Sequence, residues 1–331
     1  MMGYRVSIAS MWVAMLLAIV AAQQPQQGAT QENTQPGRLW PEDQLLRFAR
    51  AVRAGRKLTP NRWPAGARIA VALTFTLNNS ASNFARADMT VDVLTGGEFG
   101  ARRGLPRVLD VLDRHRVPAT FFIPATAAIV DPTMIPEIVK RQRHEVGTLG
   151  WSDENPLQVT VAAEEEALLL RASDYLAKAS GKKPVGARGP SMALSLHTIG
   201  LLKKMRFLYD STLMAMDEPY EVLLDGQPSG IVELPVSRML DDFPTLTAPR
   251  FGPAALPSPQ LIFETFRDDF DEAYQEGTLF LLTLHPQFVG MRSRIDFLDS
   301  LISYIQSKPN VWFATAEEVA RYVKQQAGMS N

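Results

Sequence analysis

The chain has 331 residues, of which 46% are hydrophobic and 21% are charged, with 34 Lys and Arg against 35 Asp and Glu. This composition is typical of a globular protein and excludes a disordered chain, a fibre and a disulfide scaffold. The near-neutral charge provides no basic footprint, so nucleic acid is not expected as a partner. With no Cys and only four His, the sequence excludes thiolate metal sites and leaves few imidazole ligands.

Residues 1–22 have the pattern of a secretory signal peptide. Arg5 precedes an apolar run from Met11 to Ala22 that ends in small residues. An uncleaved membrane anchor is the alternative, but the run is shorter than the roughly 20 residues that span a bilayer. We therefore expect cleavage near Ala22, no stable membrane span afterwards, and a secreted or periplasmic location in the cell envelope.

Two short segments precede the main domain. Residues 23–39 are polar and rich in Gln, which predicts a flexible linker because they cannot bury a core. Residues 40–67 are predicted to form a helical extension. Acidic residues follow Pro41, and Leu45, Leu46 and Phe48 recur at helical spacing.

Residues 68–327 alternate short apolar runs with amphipathic helical stretches, without a break that would indicate a linker. This pattern predicts one α/β domain, a barrel of seven or eight parallel strands, rather than two separate sheets. In such folds the functional residues lie on loops at the carboxyl ends of the strands. The predicted strands are 69–77, 118–124, 144–150, 184–188, 206–211, 230–236, 278–285 and 311–315.

Polar side chains follow three of the predicted strands. His285 ends one strand and could act as a general acid or base, although a rim histidine bonded to a neighbouring loop is the alternative. Arg188 has a small residue on each side and could reach inwards to a carboxylate, or form a structural ion pair. Asp241 and Asp242 could orient a His or an Arg, or belong to a solvated turn.

Together, these strand ends resemble the polysaccharide deacetylase family with its NodB-homology domain, closest to the branch of peptidoglycan deacetylases and allantoinase-like amidohydrolases. The resemblance extends over nearly everything after Arg62, in the order of the family, and implies a distorted (β/α) barrel. The segments that carry it are RWPAGARIAVALTF from Arg62, GEFGARRGLPRVLDVLDRHRVPATFFIP from Gly97, HEVGTLGWSDENP from His144, KKPVGARGPS from Lys182, FLYDSTLM from Phe207, VELPVSRMLDDFP from Val232, LFLLTLHPQFVGMRSRIDFL from Leu279 and VWFATAEEVARY from Val311.

The resemblance implies hydrolysis of an amide in an acetylated glycan, assisted by a divalent, zinc-like metal held by one Asp and two His. In the family an Asp acts as general base, an Arg steadies it, and a late-strand His protonates the leaving amine. Arg188, Asp241, Asp242 and His285 match the later positions of this set. The resemblance also places Pro190, Trp151 and Leu284 at the substrate.

Four positions depart from the family pattern. Thr76 replaces the base Asp, and Asn78, Leu149 and Asp153 replace the Asp and the two His that hold the metal. A hydroxyl does not titrate near neutral pH, and Leu149 offers no ligand. We therefore expect no metal at these three degenerate positions and no cofactor.

Two hypotheses follow. One is a degenerate pseudoenzyme that keeps a carbohydrate-binding or scaffold role, with a glycan or peptidoglycan ligand as its partner. The other is an active deacetylase or related amidohydrolase with a rearranged site, which the retained residues favour. Relatives of this branch often form symmetric oligomers, so the resemblance also suggests a homo-oligomer.

Overall fold

The computed structural model describes residues 37–87, 89–159, 161–246 and 257–329. The predicted signal peptide and most of the predicted linker lie outside these residues. The chain divides into two compact units, one ending at Arg47 and the other beginning at Phe48. In the described part of the first unit, a 3₁₀ turn over Gly37–Leu39 precedes the start of a helix.

The larger unit is built on one sheet. Its strands, in chain order, are β1 (Val52–Lys57), β2 (Ile69–Thr76), β3 (Thr120–Ile123), β4 (Glu145–Thr148), β5 (Gly186–Ala187), β6 (Tyr209–Asp210), β7 (Tyr220–Leu224), β8 (Gln227–Glu233), β9 (Leu279–Leu284) and β10 (Val311–Phe313).

Helices connect most of the strands. They are α1 (Glu42–Ala51), α2 (Ala81–Ala85), α3 (Val91–Phe99), α4 (Leu105–His115), α5 (Ala125–Val130), α6 (Met134–Val139), α7 (Ala162–Ser180), α8 (Thr198–Lys204), α9 (Asp242–Leu246), α10 (Pro259–Glu276), α11 (Pro286–Val289), α12 (Ile295–Gln306) and α13 (Ala316–Gln326). A π-helical turn, Gly100–Gly104, joins α3 to α4.

The sheet curls as a distorted, incompletely closed barrel. Its parallel part runs β9-β2-β3-β4-β5-β6-β8, and β10 pairs with the first residues of β2. Among the described residues, the segment after β8 meets β9 through one isolated parallel bridge, between Asp241 and Thr283. The prediction of a parallel barrel with seven or eight strands is confirmed.

Residues 40–67 are helical only in their first part. Helix α1 ends at Ala51, and β1 then pairs antiparallel with β7, with Val52 opposite Leu224. The helical prediction was wrong for β1. Its sequence VRAGRK has few apolar residues because it is an edge strand, and the partner that stabilises it lies far away in sequence.

Side chains along β2 point alternately to its two faces, so the strand contributes residues both to the core and to the site. Ile69, Val71, Leu73 and Phe75 pack in one cluster with residues of α4, α10 and α12, whereas Ala70 and Ala72 belong to the second cluster. Thr74 and Thr76 continue the face of Ala70 and Ala72, because side chains two residues apart share a face. This register directs both hydroxyls away from the helices that cover the sheet.

Candidate functional site

A cavity of about 440 Å³ lies at the carboxyl ends of the parallel strands. Its lining includes seven of the residues that the sequence singled out: Thr76, Asn78, Leu149, Asp153, Arg188, Asp241 and His285. They follow β2, β4, β5, β8 and β9, as expected for a parallel barrel. Asp242 does not line the cavity but contacts His285 from behind.

Arg188 forms the floor of the cavity and is 1% exposed. Its Nε donates to the carbonyl of Ser211 at 2.9 Å, and Nη2 donates to the hydroxyls of Ser211 and Thr74, both at 3.0 Å. Nη1 donates to Thr76 at 3.4 Å, and the guanidinium lies 4.2 Å from the ring centre of Phe122. Burial lowers the pKa of Arg188 to about 10, so the group stays charged at neutral pH.

The predicted carboxylate contact of Arg188 is therefore replaced by neutral partners. Among the described residues, no carboxylate forms a salt bridge with this guanidinium. Asp241 is the acid whose charge acts most strongly on it, from a greater distance. Thr76, which the resemblance places at the position of the base Asp, accepts a hydrogen bond from Arg188.

Asn78 and Asp153, two of the positions at which the resemblance expects metal ligands, are in direct contact. Asn78 Nδ2 donates to Asp153 Oδ2 at 3.3 Å, and the backbone N–H of Ser191 donates to Oδ1 at 2.8 Å. Asp153 is 7% exposed, and burial raises its pKa to about 6. Leu149, 2% exposed, packs in an apolar cluster beside them.

These residues do not fit the metal of the family. Divalent cations in such sites need imidazole or carboxylate ligands with free lone pairs. Asp153 is the one carboxylate among these three residues, and each of its oxygens accepts a hydrogen bond. The buried amide oxygen of Asn78 has no hydrogen-bond partner among the described residues, but it is a neutral ligand and no imidazole stands beside it. Leu149 contributes no ligand. The carboxylate of Asp153 is thus stabilised by an amide N–H donor and not by a cation.

His285 forms a dyad with Asp242 at the opposite wall. Its Nδ1 lies 2.7 Å from Asp242 Oδ1 and 3.5 Å from Asp241 Oδ1. Asp241 also accepts the backbone N–H of Phe243 at 2.9 Å. Because Nδ1 faces the carboxylates, Nε2 is the ring nitrogen left for proton transfer at the cavity. Burial raises the pKa of Asp242, and the hydrogen bond with His285 opposes this shift.

Asp241, Asp242 and His285 also form a group that could hold a cation. Their nearest ligand atoms lie within 4.8 Å of one another, and in the described part of the chain this is the one set of three such residues. The hydrogen bond at 2.7 Å satisfies Nδ1 without a metal. The arrangement therefore suits an imidazole that Asp242 holds in a fixed orientation. Weak binding of a cation by the three side chains is the alternative.

Three predicted substrate residues do not line this cavity. Leu284 is fully buried in the main core, because its side chain lies on the face of β9 that meets the helices. Pro190 is buried and packs near Gly150. Trp151 stacks with Arg171, whose guanidinium carbon lies 3.6 Å from the centre of the indole. All three residues lie close to strand ends in the sequence, but that position alone does not determine which way a side chain points.

Other residues complete the lining, and the sequence reasoning missed them. Polar loops after β2 and β9 and the turn before Asp241 supply most of these side chains. A search for polar residues close to strand ends would have found Asn79, Ser191 and Gln287, which follow β2, β5 and β9. Arg86 lies too far beyond β2, and Phe243 is not polar, so neither carries that signal. The missed residues include Asn79, Ser82, Asn83, Arg86, Ser191, Met192, Arg238, Phe243, Pro244 and Gln287.

The fold and the site together define a member of a hydrolase family built on a parallel barrel. The model of the polysaccharide deacetylase family matches residues 88–209. A peptidoglycan deacetylase of Helicobacter pylori is 30% identical over 255 residues, which cover 69% of this chain and 86% of the relative. The chain belongs to the polysaccharide deacetylase family.

Solved structures agree with this assignment. A Mycobacterium smegmatis protein assigned to the polysaccharide deacetylases has 33% identity and a TM-score of 0.75, with 83% of this chain and 96% of that chain covered. An allantoinase, with 23% identity and a TM-score of 0.71 over 82% of this chain and 94% of its own, shares the fold. Among the described residues, no helix is long and apolar enough to cross a membrane.

Proposed function

We propose that this chain is a glycan-binding protein of the cell envelope that does not carry out the metal-assisted deacetylation of its family. The observation that carries the proposal is the pairing of Asn78 with Asp153 beside Leu149. A metal bound by the family's ligands polarises the carbonyl and activates water. Here the ligand set is replaced by an amide, an aliphatic side chain and a carboxylate whose two oxygens are engaged.

The missing base supports the same conclusion. Thr76 has a hydroxyl that stays protonated near neutral pH, so it cannot take a proton from water. Arg188 donates a hydrogen bond to this hydroxyl, but that contact does not make the hydroxyl a base. The cavity nevertheless remains open at about 440 Å³, a volume typical of ligand sites. A cavity that remains open without a base or the family's metal ligands favours a protein that binds a glycan and does not hydrolyse it.

The His285 dyad supports a second candidate function. An imidazole oriented by Asp242 is a general acid or base in many hydrolases, so an amidohydrolase with a rearranged site is the alternative. This function needs a second group to activate water or a nucleophile. The described cavity offers Asp153 and Asp241, both already hydrogen-bonded.

One experiment separates the two functions. The full chain is incubated with acetylated chito-oligosaccharides, peptidoglycan fragments and ureides, while product release and binding are measured on the same samples. We expect binding without release of acetate from the glycans and without hydrolysis of the ureides. Product release that His285→Ala abolishes would establish the rearranged hydrolase instead, and absence of binding to every glycan would contradict the binding role.

The location in the cell envelope rests on the amino-terminal sequence. Residues 1–22 have a charged start, an apolar run and small residues before Gln23. The homo-oligomer implied by the family resemblance stays a prediction.

A further inference from the structure

We propose that the cavity is selective for an acidic glycan, a sugar chain that carries carboxylates, which Arg86 and Arg238 bind at the mouth. This inference rests on the proposed glycan-binding role and deepens it. Both arginines line the cavity, and both are exposed. They come from different parts of the chain, Arg86 after α2 and Arg238 after β8.

Neither arginine is neutralised by the protein. In the ranges that the structure describes, neither forms an ion pair, and the side chain of Arg86 makes one long hydrogen bond, 3.5 Å, to Ser82. Arg102, by contrast, is paired with Glu98 at 2.8 Å. Two uncompensated guanidinium groups at one opening present paired donors for carboxylates.

The acids of the cavity are engaged elsewhere. Asp153 accepts from Asn78 and Ser191 on one wall. Asp241 accepts from the backbone of Phe243 and faces His285 on the other. These neutral donors do not cancel the charge of the carboxylates, but both acids lie on the walls, whereas the two exposed arginines lie at the mouth with free donors.

The floor adds a third positive charge. Arg188 is surrounded by hydroxyls and a carbonyl, and Thr76 stands where the family carries an ionised Asp. Thr76 and Asn78 in place of two Asp remove two negative charges from this wall, and Asp153 in place of a His adds one back. Three arginines and two acids line the cavity, so an anion that enters past the mouth meets an excess of positive charge.

The remaining lining suits a sugar rather than an acidic peptide. Asn79, Asn83 and Gln287 offer amide groups that can both donate to and accept from hydroxyls. Phe243 is 44% exposed and offers an apolar surface to the C–H face of a sugar ring. Mixed amide and aromatic surface next to paired arginines matches a carboxylated glycan.

The test compares ligands on the full chain by calorimetry. The probes are an oligogalacturonate, a peptidoglycan fragment with free carboxylates, neutral chitohexaose and an oligoglutamate peptide. We expect both acidic glycans to bind more tightly than chitohexaose, with a preference that falls as salt is raised. The two acidic probes distinguish a uronic carboxylate from a carboxylate attached to peptidoglycan.

Variants assign the preference to the arginines. Arg86→Gln and Arg238→Gln should each weaken acidic binding about two- to fivefold, and the double variant about tenfold, with chitohexaose unchanged. Arg292→Gln is the matched control, because Arg292 is exposed and does not line the cavity. It should change neither affinity.

The outcomes separate this inference from the proposed function. Equal affinity for acidic and neutral glycans, or a preference that survives in the double variant, overturns the inference and leaves glycan binding intact. Tight binding of oligoglutamate with no glycan bound overturns both in favour of a peptide site. Absence of binding to any probe overturns the proposed function and the inference with it.

Discussion

Arg188 shows at the scale of one residue how the site was altered without loss of its framework. The guanidinium is buried and donates to Ser211, Thr74 and Thr76. Desolvation of a buried cation is costly, and here hydrogen bonds to neutral oxygens offset part of that cost. Arg188 is therefore held in place by neutral partners and needs no carboxylate beside it.

We expect Arg188→Lys to lower the free energy of unfolding by about 2–3 kcal/mol, because an ammonium on a flexible stem cannot reach all these acceptors at once. Chemical denaturation measures this difference. Arg238→Lys is the control and should be neutral, since Arg238 is exposed and unpaired within the described chain. Equal stability of Arg188→Lys and wild type would show that the hydrogen bonds contribute little.

The sequence predicted some residues of the site and missed others for physical reasons. His285, Asp241 and Arg188 were located because strand ends of a parallel barrel converge. Leu284 was predicted at the substrate but lies in the core, because neighbouring residues of a strand point to opposite faces. His285, one residue further along, lines the cavity. The pairing of Asn78 with Asp153 joins residues 75 positions apart and was not visible from spacing.

At the scale of elements, the loop that follows His285 depends on a close approach between backbones. A Cβ added at Gly104, the end of the π-helical turn, would lie 2.1 Å from the carbonyl oxygen of Pro286. A Cβ at Gly290 would lie 2.4 Å from the Cα of Gly104. The turn and α11 therefore touch without side chains between them, which fixes the segment that begins directly after His285.

Gly104→Ala should destabilise the protein by about 2–4 kcal/mol and weaken glycan binding, because α11 must move away from the turn. Thermal unfolding and calorimetry measure the two effects. Gly96→Ala is a matched control in α3, where a Cβ meets nothing within 4 Å. It should be neutral or stabilising by up to about 1 kcal/mol. Similar behaviour of the two variants would contradict the close-contact account.

Elements differed in how well the sequence predicted them. The eight apolar runs each coincide with a strand of the parallel sheet. Strands buried on both faces are rich in apolar residues, which makes them easy to find in the sequence. The edge strand β1 has no such composition, whereas β7, which lies between β1 and β8, is short but mostly apolar. The pairing of β1 with β7 joins residues more than 160 positions apart, as Val52 opposite Leu224 illustrates.

At the scale of the whole molecule, the barrel of the family is present, and we propose that the metal chemistry is not. The core, the curled parallel sheet and the bridge between Asp241 and Thr283 are all found in the described residues. None of them depends on the residues that would hold a metal. A stable fold can therefore tolerate the loss of the base and the metal ligands, and function must be argued from the site.

The most direct test is the zinc stoichiometry of the full chain after chelation, measured by calorimetry and elemental analysis. Wild type should bind no zinc at micromolar affinity. The variant Thr76→Asp, Asn78→Asp, Leu149→His, Asp153→His should bind one ion per chain, because it restores two imidazoles and two carboxylates on an intact framework. Leu149→His alone should not. Stoichiometric zinc of micromolar or tighter affinity in wild type would contradict the account.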